Sequence, residues 1–211
     1  MPRQNRVAPF GDLIATPARG TLMGNRGCLH NGRQQIIRPY QSKRWIICQL
    51  EFKNRHRAIM SPGQYTELFF LDEATALAAG HRPCAECSRS RFESFRALWA
   101  KANPKFARNS KPLATVIDEA LHHERIDALG RKRTYSQRLG EVPDGCFVLL
   151  PNDEHVHLVL QGFLHVWSAE GYHRHLKLQR DLVVRVLTPP SIVKTLALGY
   201  QVAIHPSVYQ D

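Results

Sequence analysis

A chain of 211 residues with 43% hydrophobic and 22% charged side chains has the composition of a folded globular protein of one or two domains. No run approaches eighteen apolar residues, which excludes a membrane-spanning helix, and the first twenty residues lack the apolar core of a secretory signal, so a cytoplasmic location is the expectation. The net charge of +11 is placed unevenly: residues 1–57 hold eleven Arg or Lys against Asp12 and Glu51, whereas residues 58–130 are neutral and 131–211 carry only +2.

In chain order, the first 44 residues are rich in Gly, Pro, Asn and Arg and read as extended loops with short strands. The aromatic and β-branched stretch 44–52 reads as a buried strand, with 56–60 as its returning hairpin partner and 64–71 as a third strand. Asp72 is placed as the N-cap of a short helix that Gly80 ends. A second helix starts after Ser88, with Phe92, Phe95, Trp99 and Ala102 as its apolar stripe, and stops before Pro104. The polar, proline-bracketed stretch 103–112 is the expected boundary between a unit at 1–105 and one at 113–211. Beyond it, a third helix is expected to run to about Leu129. Strands follow at 145–150, 155–162, 163–167 and 182–188, then a helix capped by Thr188, then a closing strand at 200–205. The fold class expected is α+β.

The five cysteines carry the strongest chemical signal. Cys84 and Cys87 form a C-x-x-C pair after a Gly-His-Arg-Pro turn rather than at the start of a helix that follows a strand, which argues against a redox motif. A structural Zn2+ takes four ligands in a tetrahedron and prefers thiolates, and such an ion would also explain how a loop-rich N-terminal region folds. Cys48 and Cys28 are the candidates to complete the set, with His30 as the alternative to Cys28 and His56 a more distant one. Cys146 reads as a buried core thiol.

The segment "FFLDEATALAAGHRPCAEC" resembles the metal-binding domain of the Ada family of DNA-repair proteins, over roughly residues 44–90. In that family an A-A-G-x-R-P-C-x-x-C segment supplies two thiolates. A cysteine at the end of an upstream strand coordinates zinc and accepts a methyl group from a DNA phosphotriester. The resemblance gives Cys48 that position. The family's paired cysteine, four residues further on, is Phe52 here.

Charge points to the partner. A strongly basic N-terminal quarter fits a surface that meets DNA or RNA, against the alternative of a solvated basic surface. Arg26, Arg33, Arg38, Lys43 and Arg44 are the candidate contacts, joined by Arg131, Lys132 and Arg133. Within 118–127, His122 and Glu124 are candidates for acid–base chemistry of the kind a nuclease uses, with Glu124 on the helix's apolar stripe; a solvated helix face is the alternative. His155, His157, His165, His173 and His175 are expected on exposed strand faces, against the alternative of a second metal site. These features predict a zinc-containing DNA-binding protein acting in repair or modification. The alternatives are a nuclease or base-acting enzyme using His122 and Glu124, and a non-catalytic zinc module joined to a protein-interaction domain.

Overall fold

The computed structural model describes residues 1–54 and 58–210 and has an α+β architecture of two six-stranded sheets and four α-helices among those residues. The first sheet uses very short strands: Gln4–Val7 (β1), Leu13–Ala15 (β2), Leu22–Asn25 (β3), Ile46–Cys48 (β4), Leu68–Phe70 (β5) and Arg82–Pro83 (β6), in the order β2-β1-β5-β3-β4-β6. Only three residues of the expected strand 44–52 pair, because the chain leaves the sheet after Cys48 and Gln49, Leu50 and Glu51 are exposed. The expected hairpin is replaced by antiparallel pairing with β3 and parallel pairing with β6. Of its proposed return, His56 and Arg57 lie outside the described residues and Ile59–Met60 form a turn.

The second sheet is antiparallel throughout: Tyr135–Arg138 (β7), Phe147–Leu149 (β8), Val156–Leu160 (β9), Phe163–Trp167 (β10), Tyr172–Lys177 (β11) and Val183–Val186 (β12), ordered β11-β10-β9-β8-β12-β7. Strand β11 is exposed along almost its whole length, so its His-Arg-His sequence carries no apolar alternation and reads locally as a turn. Pairing with β10 makes it a strand.

Helix α1 (Glu73–Ala78) sits entirely inside the molecule. Asp72 caps it by accepting the Thr75 N–H at 2.8 Å. Gly80 ends it at φ +90°, where a Cβ would come within 2.6 Å of the Arg125 side chain. The carboxylates at its start organise the C-terminal segment. Asp72 accepts from the Tyr172 hydroxyl and the His205 N–H, and Glu73 from the Tyr200 hydroxyl and the Ala203 N–H. Those backbone donors therefore bond to carboxylates instead of a neighbouring strand, and the closing strand expected at 200–205 does not form.

Helix α2 (Arg89–Ala102) buries Phe92, Phe95 and Trp99 as its spacing predicts. Helix α3 (Ala114–Arg125) stops short of Leu129, because Ile126 is extended and bridges to Lys132. Helix α4 (Pro190–Ala197) lies against α2 and α3. Thr188 does not cap it; its hydroxyl accepts the Phe147 N–H instead. One core cluster draws Ile47, Phe70, Leu77, Phe95 and Trp99 together with Ile117, Leu121, Val148, Val184 and Ile192, so residues on both sides of 103–112 share it. Among the described residues no helix is long and apolar enough to cross a membrane.

Candidate metal centre

Parallel pairing builds the cysteine site. Ile46 aligns with Arg82 and Ile47 with Pro83, and the Cys84 N–H donates to the Ile47 carbonyl at 2.8 Å, so the ends of β4 and β6 lie side by side. Cys48 and Cys84 are the residues at those ends. The chain then turns, with the Ser88 N–H on the Cys84 carbonyl at 3.2 Å, and this brings the Cys87 sulfur back to the other two. The three sulfurs lie within 4.8 Å of one another and could hold a metal ion. Cys48 and Cys84 are buried and Cys87 is half-buried, so the site opens to one side.

Backbone donors surround the sulfurs. The Glu86 N–H reaches Cys84 Sγ at 3.4 Å, the Cys87 N–H also favours the Cys84 thiolate, and the Gln49 N–H favours that of Cys87. Each thiol shifts the ionisation of the other two. Hydrogen bonds from Cys48 and Cys87 hold Cys84 far below the usual thiol range. Contact with Cys84, then with Cys87, and burial push Cys48 far above it. At Cys87 the Cys48 contact favours the thiolate, but Cys84 and burial outweigh it and the shift is upward. A divalent cation would remove this competition and let all three sulfurs ionise.

Cys28 is not part of the group, and the strand register explains why. Antiparallel pairing sets Asn25 opposite Ile46 and Met23 opposite Cys48. Strand β3 therefore runs away from Cys48 before the chain bends at Arg26 and Gly27. The Cys28 thiol lies 3.6 Å from the His30 carbonyl. His30 is buried and committed elsewhere, with Nδ1 2.6 Å from the Thr66 hydroxyl and Nε2 3.2 Å from the Ser61 carbonyl. The third alternative, His56, lies outside the described residues. His81 is fully buried: its Nε2 accepts from Arg26 Nε at 3.1 Å, and its Nδ1 lies 3.3 Å from the Ala76 carbonyl.

The basic candidates divide into two sets. Arg33, Arg38, Lys43, Arg44, Arg131 and Arg133 are exposed or partly exposed, although Lys43 pairs with Glu119 and Arg131 with Asp127. Arg26 is only 1% exposed, stacks 3.9 Å over the Trp45 ring and donates to the Gly11 carbonyl at 2.9 Å. Lys132 sends its amine inward to the Ala78 carbonyl. Burial, then the charge of Arg125, holds Arg26 down to about 9; burial, then Arg26 and Arg125, lowers Lys132 to about 7. Arg125, also buried, stacks 4.0 Å over Trp45 and donates to the Gly80 carbonyl at 3.0 Å. Lys132 and Arg125 thus meet carbonyls at the C-terminal end of α1, where the helix dipole favours cations. Arg26 and Lys132 are structural and do not offer their charge to a surface ligand.

The structure does not bring His122 and Glu124 together. His122 packs edge-on against Tyr40 with ring centroids 5.3 Å apart, and its Nδ1 lies 3.1 Å from Arg125 Nη2. Burial, then the charge of Arg125, lowers it to about 4. Glu124 points to the other side of the helix. One carboxylate oxygen accepts the Ser191 N–H at 3.1 Å and the Ser191 hydroxyl at 2.6 Å. Burial raises its carboxyl, and the Ser191 donors counter that shift. Glu124 is the polar residue on an apolar stripe because it caps the first turn of α4, in the place the sequence assigns to Thr188.

A residue pair with no strong sequence signal anchors the thiol group. Arg82 donates to both oxygens of Asp118, Nε to Oδ1 at 2.9 Å and Nη2 to Oδ2 at 2.8 Å, with both side chains almost fully buried. The pair ties β6, and with it the C-x-x-C turn, to α3. No protein-family model, curated protein or solved structure matches the chain.

Proposed function

We propose that Cys48, Cys84 and Cys87 hold a structural zinc ion, and that the zinc-fixed N-terminal part of the chain is a nucleic-acid-binding module, with DNA as the partner. The observation that carries this reading is the converged thiol trio, formed by the two segments that resemble the Ada metal-binding domain. Thiolate donors suit zinc, and three of them leave one coordination position for a further ligand. The exposed Arg33, Arg38, Lys43 and Arg44 supply the electrostatic attraction. A repair or modification role is part of the same proposal and rests on the resemblance. Phe52 in place of the family's second upstream cysteine weighs against methyl acceptance at Cys48, because that chemistry depends on the charge of the full thiolate cluster. Glu124 has its carboxylate engaged by Ser191, which favours a binding role over turnover at the His122–Glu124 region.

The test measures metal content and DNA affinity together. Metal-replete protein is expected to hold one zinc at the thiols. Its affinity for duplex DNA is expected to fall with salt by a log–log slope of about −0.9 per phosphate contacted. Reversing Arg33, Arg38, Lys43 and Arg44 together should weaken binding and flatten that slope while zinc is retained. Unchanged affinity and slope in the folded variant would leave the basic face as a solvated surface.

A further inference from the structure

The segment 153–157, Asp-Glu-His-Val-His, leads from the turn after β8 into β9 and takes no part in the thiol centre or the basic face. Strand alternation puts His155 and His157 on one side, and the sequence predicts exposure for both. His155 is exposed, but His157 is fully buried. By hydrogen-bond geometry neither ring nitrogen finds a partner, although the ring makes a looser contact with the His155 backbone. A buried, unsatisfied polar group costs about 1–3 kcal/mol and calls for an explanation.

The surroundings of that ring supply one. Nε2 of His157 stands 3.5 Å from Asp153 Oδ2, without the alignment of a hydrogen bond. Two donors bound to one ion at roughly 2.1 Å in tetrahedral geometry stand about 3.4 Å apart. The spacing is that of two ligands sharing an ion. The other carboxylate oxygen, Oδ1, lies 2.8 Å from Nδ1 of His155 and accepts the His155 N–H at 2.8 Å, which fixes the carboxylate in place.

We propose that Asp153, His155 and His157 form a second metal site, separate from the thiol centre, for a divalent transition ion. Two imidazoles and one carboxylate suit Zn2+, Co2+, Ni2+ or Cu2+ better than the all-oxygen preference of Mg2+ or Ca2+. Among the described residues only the cysteine sulfurs meet as three donors within 4.8 Å; Asp153, His155 and His157 do not do so as they stand. His155 closes the difference: its side chain is 67% exposed, so the ring can turn from Oδ1 toward the gap between Oδ2 and Nε2. The Asp153 side chain is 27% exposed and gives the ion a path from solvent. Binding releases at most the proton on the imidazole nitrogens, and water fills the remaining positions. The ion would pin the β8–β9 turn to the buried start of β9 and supply a partner for Nε2 of His157.

The test uses the full chain, stripped by a chelator and titrated with Co2+ under equilibrium dialysis and absorption. Cobalt on the thiols produces a sulfur-to-metal charge-transfer band in the near ultraviolet, and cobalt on imidazole and carboxylate does not. Two Co2+ per chain are expected, the second adding nothing to that band. Asp153→Asn, which keeps the turn's acceptor, and His155→Ala, at an exposed position, should each weaken the second ion at least about tenfold and leave the band intact. In Cys84→Ser, Co2+ should still broaden the His155 and His157 ring resonances, so loss of the thiol centre and loss of this site are read separately. One ion per chain in the wild type, or a second ion of unchanged affinity in both variants, would overturn the proposal.

Discussion

Asp118→Ala isolates the contribution of the buried ion pair behind the thiol group. The substitution removes both Asp118 acceptors of the Arg82 guanidinium, which is 2% exposed and keeps the Pro83 carbonyl through Nη1 at 2.9 Å and the Phe92 ring 5.1 Å away. Removing one partner of a buried pair leaves an uncompensated charge and costs about 3–5 kcal/mol. At roughly 2–4 °C per kcal/mol for a chain of this size, the melting temperature should fall by about 6–20 °C. Because Arg82 and Pro83 constitute β6, the loss should also weaken metal binding at Cys84 and Cys87, neither of whose sulfurs is touched by the substitution. Circular dichroism melts and urea titrations of the metal-replete and metal-stripped protein measure both effects. Replacing the pair together, as Arg82→Met with Asp118→Leu, should recover most of the stability, since apolar residues of similar size need no counter-charge. A loss below about 1 kcal/mol in Asp118→Ala would refute the argument that the guanidinium depends on this carboxylate.

Other outcomes follow from single side chains. Cys84→Ser and Cys87→Ser should each lower bound metal well below one equivalent at the thiol centre, whereas Cys28→Ala should leave it unchanged; elemental analysis decides. Glu124→Gln keeps an acceptor for both Ser191 donors and should leave DNA affinity intact, while Glu124→Ala should cost about 0.5–2 kcal/mol in urea titrations, the loss typical of a helix cap. Burial, then the charge of Arg26, holds His81 well below 6.5, so its folded form is neutral and its Nε2 accepts from Arg26. Below pH 6.5 the unfolded chain binds this proton and the folded chain does not. Stability contributed by the neutral ring is therefore complete above 6.5 and lost as pH falls beneath it, and His81→Gln should flatten that slope in pH-resolved urea titrations. Arg26→Met should destabilise the fold in thermal melts yet leave the salt slope of DNA binding unaltered, because its charge is spent inside the molecule.

Local sequence determined several features that depend on short spacings. The cap at Asp72, the stop at Gly80, the stripe of Phe92, Phe95 and Trp99, and the C-x-x-C turn all form where the chain places them, because each is set by contacts within a few residues. Cys48 was legible as the third thiol because it ends a strand. The register of that strand was not legible. Only the tertiary structure pairs β4 in parallel with β6, which brings Cys48 to Cys84, and antiparallel with β3, which sends Cys28 to the opposite end. The same holds for charge. Arg26 and Arg33 look alike in sequence, yet one stacks on Trp45 inside the core and the other is exposed, since burial of a guanidinium depends on distant carbonyls and rings gathered around it. Glu124 was visible as a polar residue on an apolar stripe, whereas His157 reads in sequence as a histidine on an exposed strand face. What each of them faces, the first turn of α4 or the Asp153 carboxylate, is fixed by chain segments that meet only on folding.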